Sequence, residues 1–271
     1  MKYPIGGHGR VQKGKIYLVG AGPGDPELLT VKAQRILSTA EVVLYDRLVN
    51  LEILKLAPAH AQKIYVGKEP FQPETSRQEF INAQLVRYGQ KGFVVVRLKG
   101  GDPLVFGRGG EEALALKKAE IPFEFVPGIS SAISVPETAL IPVTHRGVAA
   151  SFAVFSGHNA DPKNPGGSIC DVDWQLAAKI PTAVFLMGVK HLPEIVRQLR
   201  LHERAASTPV AVIEKGTLPE QRVVVGTLQN ILQRSEGFRS PSIIVIGEVV
   251  NIRAQLQTEV ENWQAETVGL R

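Results

Sequence analysis

The sequence predicts two α/β domains with a cleft between them, and three observations carry that prediction. Short β-branched runs alternate with helical patterns over residues 16–126, a stretch rich in Pro, Gly and Ser follows at 127–148, and a second series of apolar runs begins at 152. Alternation of this kind argues for a mostly parallel sheet with helices on its faces. The expected boundaries are a flexible tail over 1–14, an N-terminal α/β domain over 15–130, a connector over 131–148, a C-terminal α/β domain over 149–253 and a C-terminal tail over 254–271.

In the first domain the strands expected are IYLVG (16–20), VVLY (42–45), KIYV (63–66), FVVVRL (93–98) and FEFV (123–126). A helix is expected over 27–40, where Leu29, Ala33, Ile36, Leu37 and Ala40 share one face. A second is expected over 75–88. There Thr75 with Gln78, and Ser76 with Glu79, fit capping boxes ahead of Phe80, Ile81, Ala83, Leu85 and Val86. A third covers 110–119, with Ala113, Leu114 and Leu116 apolar, and a short one lies near 130–139. In the second domain the strands expected are FAVF (152–155), TAVFLM (182–187), PVAVI (209–213), RVVVG (222–226) and SIIVIG (242–247). Helices are expected near 172–179, 190–201 and 227–233, and HNADPKNPGGSICD (158–171) is loop by composition.

Bulk properties narrow the function. No apolar run reaches the roughly 18–20 residues of a membrane span, and the basic N-terminus lacks the apolar core of a secretory signal. One cysteine, Cys170, allows no disulfide within the chain and suits a reducing compartment, the cytoplasm. Cys170 has no histidine near it in sequence, so a spectator thiol is the plain reading. The six histidines show no HxxxH or HExxH spacing, so no metal is expected. The net charge of +5 attracts anions. Without a dense basic block or interleaved aromatics it does not indicate nucleic acid.

Ligand sites in α/β folds favour the residues just after the strands. After the first strand comes GAGPGDP (20–26). A dinucleotide fingerprint needs GxGxxG, whereas the glycines here stand at 20, 22 and 24, with Asp25 and Pro26 following. Asp25 as N-cap and Pro26 in the first turn suit a helix start. An acidic cap also occupies amide donors that a phosphate would need. Upstream, GRVQKGKI (9–16) has P-loop glycine spacing but precedes a strand and ends in Ile16, so it is discarded.

After the second strand, Asp46 is either a helix cap or a general base. After the third, Lys68 is either a solvated charge or an anion-facing group. After the fourth comes RLKGGDPLVFGRGGEE (97–112), with two glycine pairs in one loop and Arg97, Lys99 and Arg108 nearby. Glycines let backbone approach a bulky ligand. Asp102 is either a cap, a ribose ligand or a cation holder. After the fifth, Ser130 and Ser131 either cap a helix or hydrogen-bond a ligand.

Taken in order, GAGPGDPELLT, LYDRLV, RLKGGDPLVFGRGGEE, PGISSA and IPVTHRG resemble the tetrapyrrole methylase family over about residues 15–250. The resemblance implies an S-adenosylmethionine enzyme whose two domains hold a folded cofactor, not a Rossmann dinucleotide fold. It further implies carbon methylation of uroporphyrinogen III at C-2 and C-7, through precorrin-1 to precorrin-2, which feeds sirohaem or cobalamin. S-adenosylhomocysteine would be the other product, and the enzyme would be a homodimer. Carried over residue by residue, it places Pro23, Gly100, Gly101, Asp102, Val105, Ser130, Ser131, Met187 and Gly216 at the cofactor, Asp46 as proton acceptor and Lys68 as proton donor or anion holder. Arg47, Lys68, Arg97, Arg108, His145, Arg146 and Lys190 are then candidate partners of substrate carboxylates, since arginine grips carboxylates in bidentate fashion. Two departures stand out. Glu69 follows Lys68 where the family usually has a basic residue, and Ser130–Ser131 stand where Thr-Ala is frequent.

Competing readings are another precorrin methylase, a relative acting on ribosomal RNA or a protein side chain, a nucleotide-dependent oxidoreductase, and a non-catalytic tetrapyrrole binder. The GxGxG spacing and Asp25 count against the oxidoreductase. GGDPLVFGRGGEE with PVTHRG counts against the RNA and protein methylases, and Asp46, Lys68 and GGDP count against the non-catalytic binder.

Overall fold

The computed structural model describes residues 14–67, 74–160 and 172–257. Residues 1–13 of the expected N-terminal tail, Lys68, Glu69 and Cys170 lie outside these. The chain divides into two compact units at Ile129 and Ser130. No helix among the described residues is long and apolar enough to cross a membrane.

The first unit holds β1 (Ile16–Gly20), β2 (Val42–Tyr45), β3 (Gln62–Tyr65), β4 (Val95–Lys99) and β5 (Phe123–Val126). They form one sheet in the order β3-β2-β4-β1-β5, with every pair parallel. Helix α1 (Val31–Leu37) covers one face. There Ala33, Ile36 and Leu37 pack on Val19, Val43, Val96 and Leu98. Helices α2 (Glu74–Gln90) and α3 (Gly109–Lys118) cover the other. There Ile81, Leu85, Ala113 and Leu116 meet Ile16, Leu18, Val42, Leu44 and Val95. Adjacent strands β1 and β4 therefore send their chains to opposite faces, which opens the carboxyl edge of the sheet between them.

The helix expected over 27–40 is divided. Pro26–Leu28 forms a single 3-10 turn, and Thr30 caps α1 by accepting the Ala33 N–H at 3.1 Å. The first glycine turn therefore ends in its own capped turn before the helix starts. Helix α2 begins at Glu74, which puts Thr75 and Ser76 inside it instead of at its cap.

The second unit begins with α4 (Ser131–Thr138) and continues with β6 (Phe152–Ser156), α5 (Trp174–Lys179), β7 (Thr182–Leu186) and α6 (Leu192–Leu201). Strands β8 (Pro209–Glu214) and β9 (Arg222–Thr227), α7 (Ile231–Arg234) and β10 (Ser242–Ile246) complete it. The sheet order is β6-β7-β10-β8-β9. Only β6 and β7 pair in parallel; the other three pairs are antiparallel. Strand β9 follows β8 as a hairpin, too short a connection for a parallel crossover. Helices α5, α6 and α7 pack on one face, and α4 covers the other through Ala132 and Val135, with Ala139 at its C-cap. Residues 131–148 thus supply a helix and Ile141 to the second unit's core.

Candidate functional site

In the first unit the loops after β1, β4 and β5 are laced together by backbone. Gly22 and Gly101 exchange two hydrogen bonds, at 3.2 and 2.7 Å, and the Ala21 N–H donates to the Lys99 carbonyl at 2.7 Å. The approach is so close that side chains are excluded. A Cβ on Gly20 would lie 2.5 Å from the Gly128 Cα, and one on Gly128 would lie 2.3 Å from the Gly101 oxygen. The Asp102 carboxylate clamps the same junction. Its Oδ1 accepts the Leu104 N–H at 2.8 Å and its Oδ2 accepts the Gly128 N–H at 3.1 Å.

Gly101 differs from its neighbours. Its φ is +70°, a conformation L side chains adopt at a cost, and among the described residues no atom lies within 4 Å of where its Cβ would stand. Backbone is therefore presented on an open side, as a bulky ligand requires. Gly100 has a packing reason instead, because a Cβ there would lie 2.6 Å from the Leu48 Cβ. Pro23 is half-buried in the first turn, and Asn50 ties that turn to the loop after β2 by donating to the Gly24 carbonyl at 2.9 Å. Asp25 accepts the Glu27 N–H at 2.9 Å, the expected cap. Leu104, Val105 and Phe106 are exposed in the loop after β4.

Asp46 sits at the carboxyl end of β2. Its Oδ1 accepts the Leu48 N–H at 3.1 Å and its Oδ2 accepts from Arg97 Nη2 at 3.2 Å. Behind it lies a buried charge cluster. Arg97 Nε and Lys99 Nζ both donate to Glu112 Oε1, at 3.1 and 2.8 Å, and Glu112 is fully buried. Its Oε2 has no hydrogen-bond partner among the described residues. Burial, followed by the Arg97 charge, pushes the Lys99 ammonium below its ordinary range.

Several expected substrate contacts are placed differently. Arg97 is only 3% exposed, and its guanidinium is committed to Glu112, the Leu98 carbonyl and Asp46. Strand alternation turns positions 97 and 99 toward α3, so Arg97 is an internal residue and not a rim cation. Arg108 is half-buried with φ +58° and forks onto Glu111 at 2.7 Å through two nitrogens, which lowers the Glu111 carboxyl. Arg47 is exposed beside Asp46.

In the second unit, Ser130 caps α4 by accepting the Ala132 N–H at 3.3 Å, and Ser131 opens the helix. His145 and Arg146 are exposed on a tight loop closed by the His145–Ala149 bridge, with Gly147 at φ +78°. Met187, half exposed after β7, has φ +57°. Gly216 follows β8 between Lys215 (φ +50°) and Thr217 (φ +69°), and a Cβ there would lie 2.3 Å from Val135 of α4. Lys190 is exposed. Of the eight non-glycine residues with positive φ among the described residues, five (Phe106, Arg108, Met187, Lys215 and Thr217) lie in three of the five loops that carry candidate cofactor residues. Strain of this kind gathers at functional sites. Sequence reasoning missed Glu112 and the Gly20–Gly128 contact. The signal for Glu112 was an acid in the first turn of the helix that follows a fully buried strand carrying two cations.

The family model for tetrapyrrole (corrin/porphyrin) methylases matches residues 15–232. The chain is 49% identical over 241 residues to a uroporphyrinogen-III C-methyltransferase of Priestia megaterium, covering 88% of this chain and 99% of the relative. It is 51% identical over 242 residues to an S-adenosyl-L-methionine-dependent uroporphyrinogen III methyltransferase of Methanosarcina barkeri, covering 88% and 93%. Among solved structures, a uroporphyrin-III C-methyl transferase from Thermus thermophilus complexed with S-adenyl homocysteine superposes with a TM-score of 0.75. It is 43% identical, with 88% of this chain and 100% of that chain covered.

Proposed function

This chain belongs to the tetrapyrrole methylase family, and from that premise we propose that it is an S-adenosylmethionine-dependent uroporphyrinogen-III C-methyltransferase. It methylates C-2 and then C-7 to give precorrin-1 and precorrin-2, which feed sirohaem, cobalamin or both. The observation that carries the reading within the fold is Gly101, a left-handed glycine open on its Cβ side beside a carboxylate-clamped loop. The cytoplasm is the proposed setting, on the single cysteine, and a homodimer the proposed assembly.

In the first unit the cofactor contacts proposed are Pro23, Gly100, Gly101, Asp102 and Val105. In the second unit they are Ser130, Ser131, Met187 and Gly216. When bound, S-adenosylmethionine supplies a methyl group already activated by its sulfonium. The protein's task is then alignment and exclusion of water. Val105, with exposed Leu104 and Phe106 beside it, supplies apolar surface for that purpose. Methylation of an electron-rich pyrrole carbon leaves the substrate cationic, and it must lose a proton. Asp46 is the proposed acceptor of that proton and stabilises the cation before transfer. Lys68 is proposed to donate a proton or hold a carboxylate. Arg47, Arg108, His145 and Arg146 are proposed to meet the acetate and propionate groups, which gives the +5 net charge a use.

Titration calorimetry with S-adenosylhomocysteine is expected to show binding with a Kd between about 1 μM and 1 mM, the range typical of enzyme substrates. Binding of NAD in its place, with none of S-adenosylhomocysteine, would overturn the assignment.

A further inference from the structure

We infer that Arg97 is the positioning residue for Asp46, and that Glu112 is the buried anchor that fixes Arg97. The inference rests on the proposed role of Asp46 as proton acceptor and adds what makes that carboxylate usable. An aspartate at the mouth of a loop has two side-chain torsions and ordinarily samples several staggered states. Here each oxygen is tethered from a different direction. Oδ1 takes the backbone N–H two residues on, and Oδ2 takes Arg97 Nη2 from the neighbouring strand, where Leu44 and Arg97 stand in register. A carboxylate offers about four lone-pair sites. With two of them occupied, the remaining pair keeps one heading, and the tether is shared with a rigid strand.

Arg97 can serve because it cannot itself turn. Its three nitrogens bond three different acceptors: Nε to Glu112 Oε1, Nη1 to the Leu98 carbonyl and Nη2 to Asp46. The guanidinium plane is fixed by two internal partners before Asp46 is reached. Glu112 is held in turn by α3 and by Lys99 at 2.8 Å, with no surface exposed. The cluster therefore runs from a buried glutamate on α3, through a buried strand, to a carboxylate with a quarter of its side chain exposed. An ion pair on the surface would contribute little. This one is dry at the arginine end, so its geometry persists. Support of this kind sets the precision of a catalytic group, and a misplacement of about 1 Å can cost about 10²-fold in rate.

The test is a double-mutant cycle read as kcat and KM. Arg97→Lys keeps the charge but has one nitrogen where three acceptors need filling. In the wild-type background it is expected to lower kcat about 10²-fold, with KM for both substrates and the affinity for S-adenosylhomocysteine unchanged. In an Asp46→Asn background the same substitution should cost little more, because the group it positions is already gone. Glu112→Gln keeps the Oε1 acceptor and serves if Arg97→Lys does not fold. It should give a smaller kcat loss that also fades in the Asp46→Asn background. A merely structural role predicts lower thermal stability with kcat of the folded protein unchanged, or equal losses in both backgrounds, and either result overturns the inference. If Asp46→Asn alone retains full turnover, it is the underlying assignment of Asp46 that falls.

Discussion

Asp46→Ala is expected to lower methyl transfer by about 10²–10⁴-fold, the range that a positioned acid or base supplies, while leaving affinity for S-adenosylmethionine intact. The separation follows from where the residue stands. Asp46 directly follows β2, and among the described residues it accepts hydrogen bonds from the Leu48 N–H and from Arg97, neither of which is a proposed cofactor contact. Its removal leaves the Gly22–Gly101 bridge and the Asp102 clamp untouched. Single-turnover measurements with labelled cofactor separate the two quantities. Unchanged turnover would remove Asp46 from the mechanism, and lost cofactor binding would show that the loops are coupled.

Gly101→Val is expected to abolish cofactor binding. The position demands a left-handed backbone, and a β-branched residue there costs roughly 1–3 kcal/mol in strain. More decisive is the direction of the new side chain, into the side of the loop where no atom of the described residues lies within 4 Å. The fold should survive, because none of the described residues is struck. Gly101→Ala carries the strain with far less bulk and is expected to weaken binding without ending it. Calorimetry on both variants decides the matter. Normal binding by the valine variant would show that the glycine serves the loop alone.

The strands were legible because their chemistry is blunt. IYLVG and VVLY, expected at 16–20 and 42–45, are β1 and β2 residue for residue. Boundaries slipped where local capping overrode periodicity, as at Thr30, which restarts the helix that Leu29 and Ala33 had suggested was continuous. The antiparallel character of the second sheet was not legible either, since apolar runs carry no direction; it emerges in the β8–β9 hairpin and in the pairing of β10 with β7 and β8.

The site was legible in its glycines and less so in its charges. Glycine pairs mark close backbone approach whatever lies around them. Arg97 and Glu112 carry no such mark. Charged residues are ordinarily exposed, and only the burial of β4 under α3, with strand alternation, turns both inward to face one another.

Incubation with uroporphyrinogen III and S-adenosylmethionine labelled on its methyl group, followed by mass analysis, shows where the methyl groups go. Two labelled methyl groups per tetrapyrrole are expected, with a singly methylated species appearing first. An unmodified tetrapyrrole, with the label retained on the cofactor or carried to RNA or protein, would contradict the account.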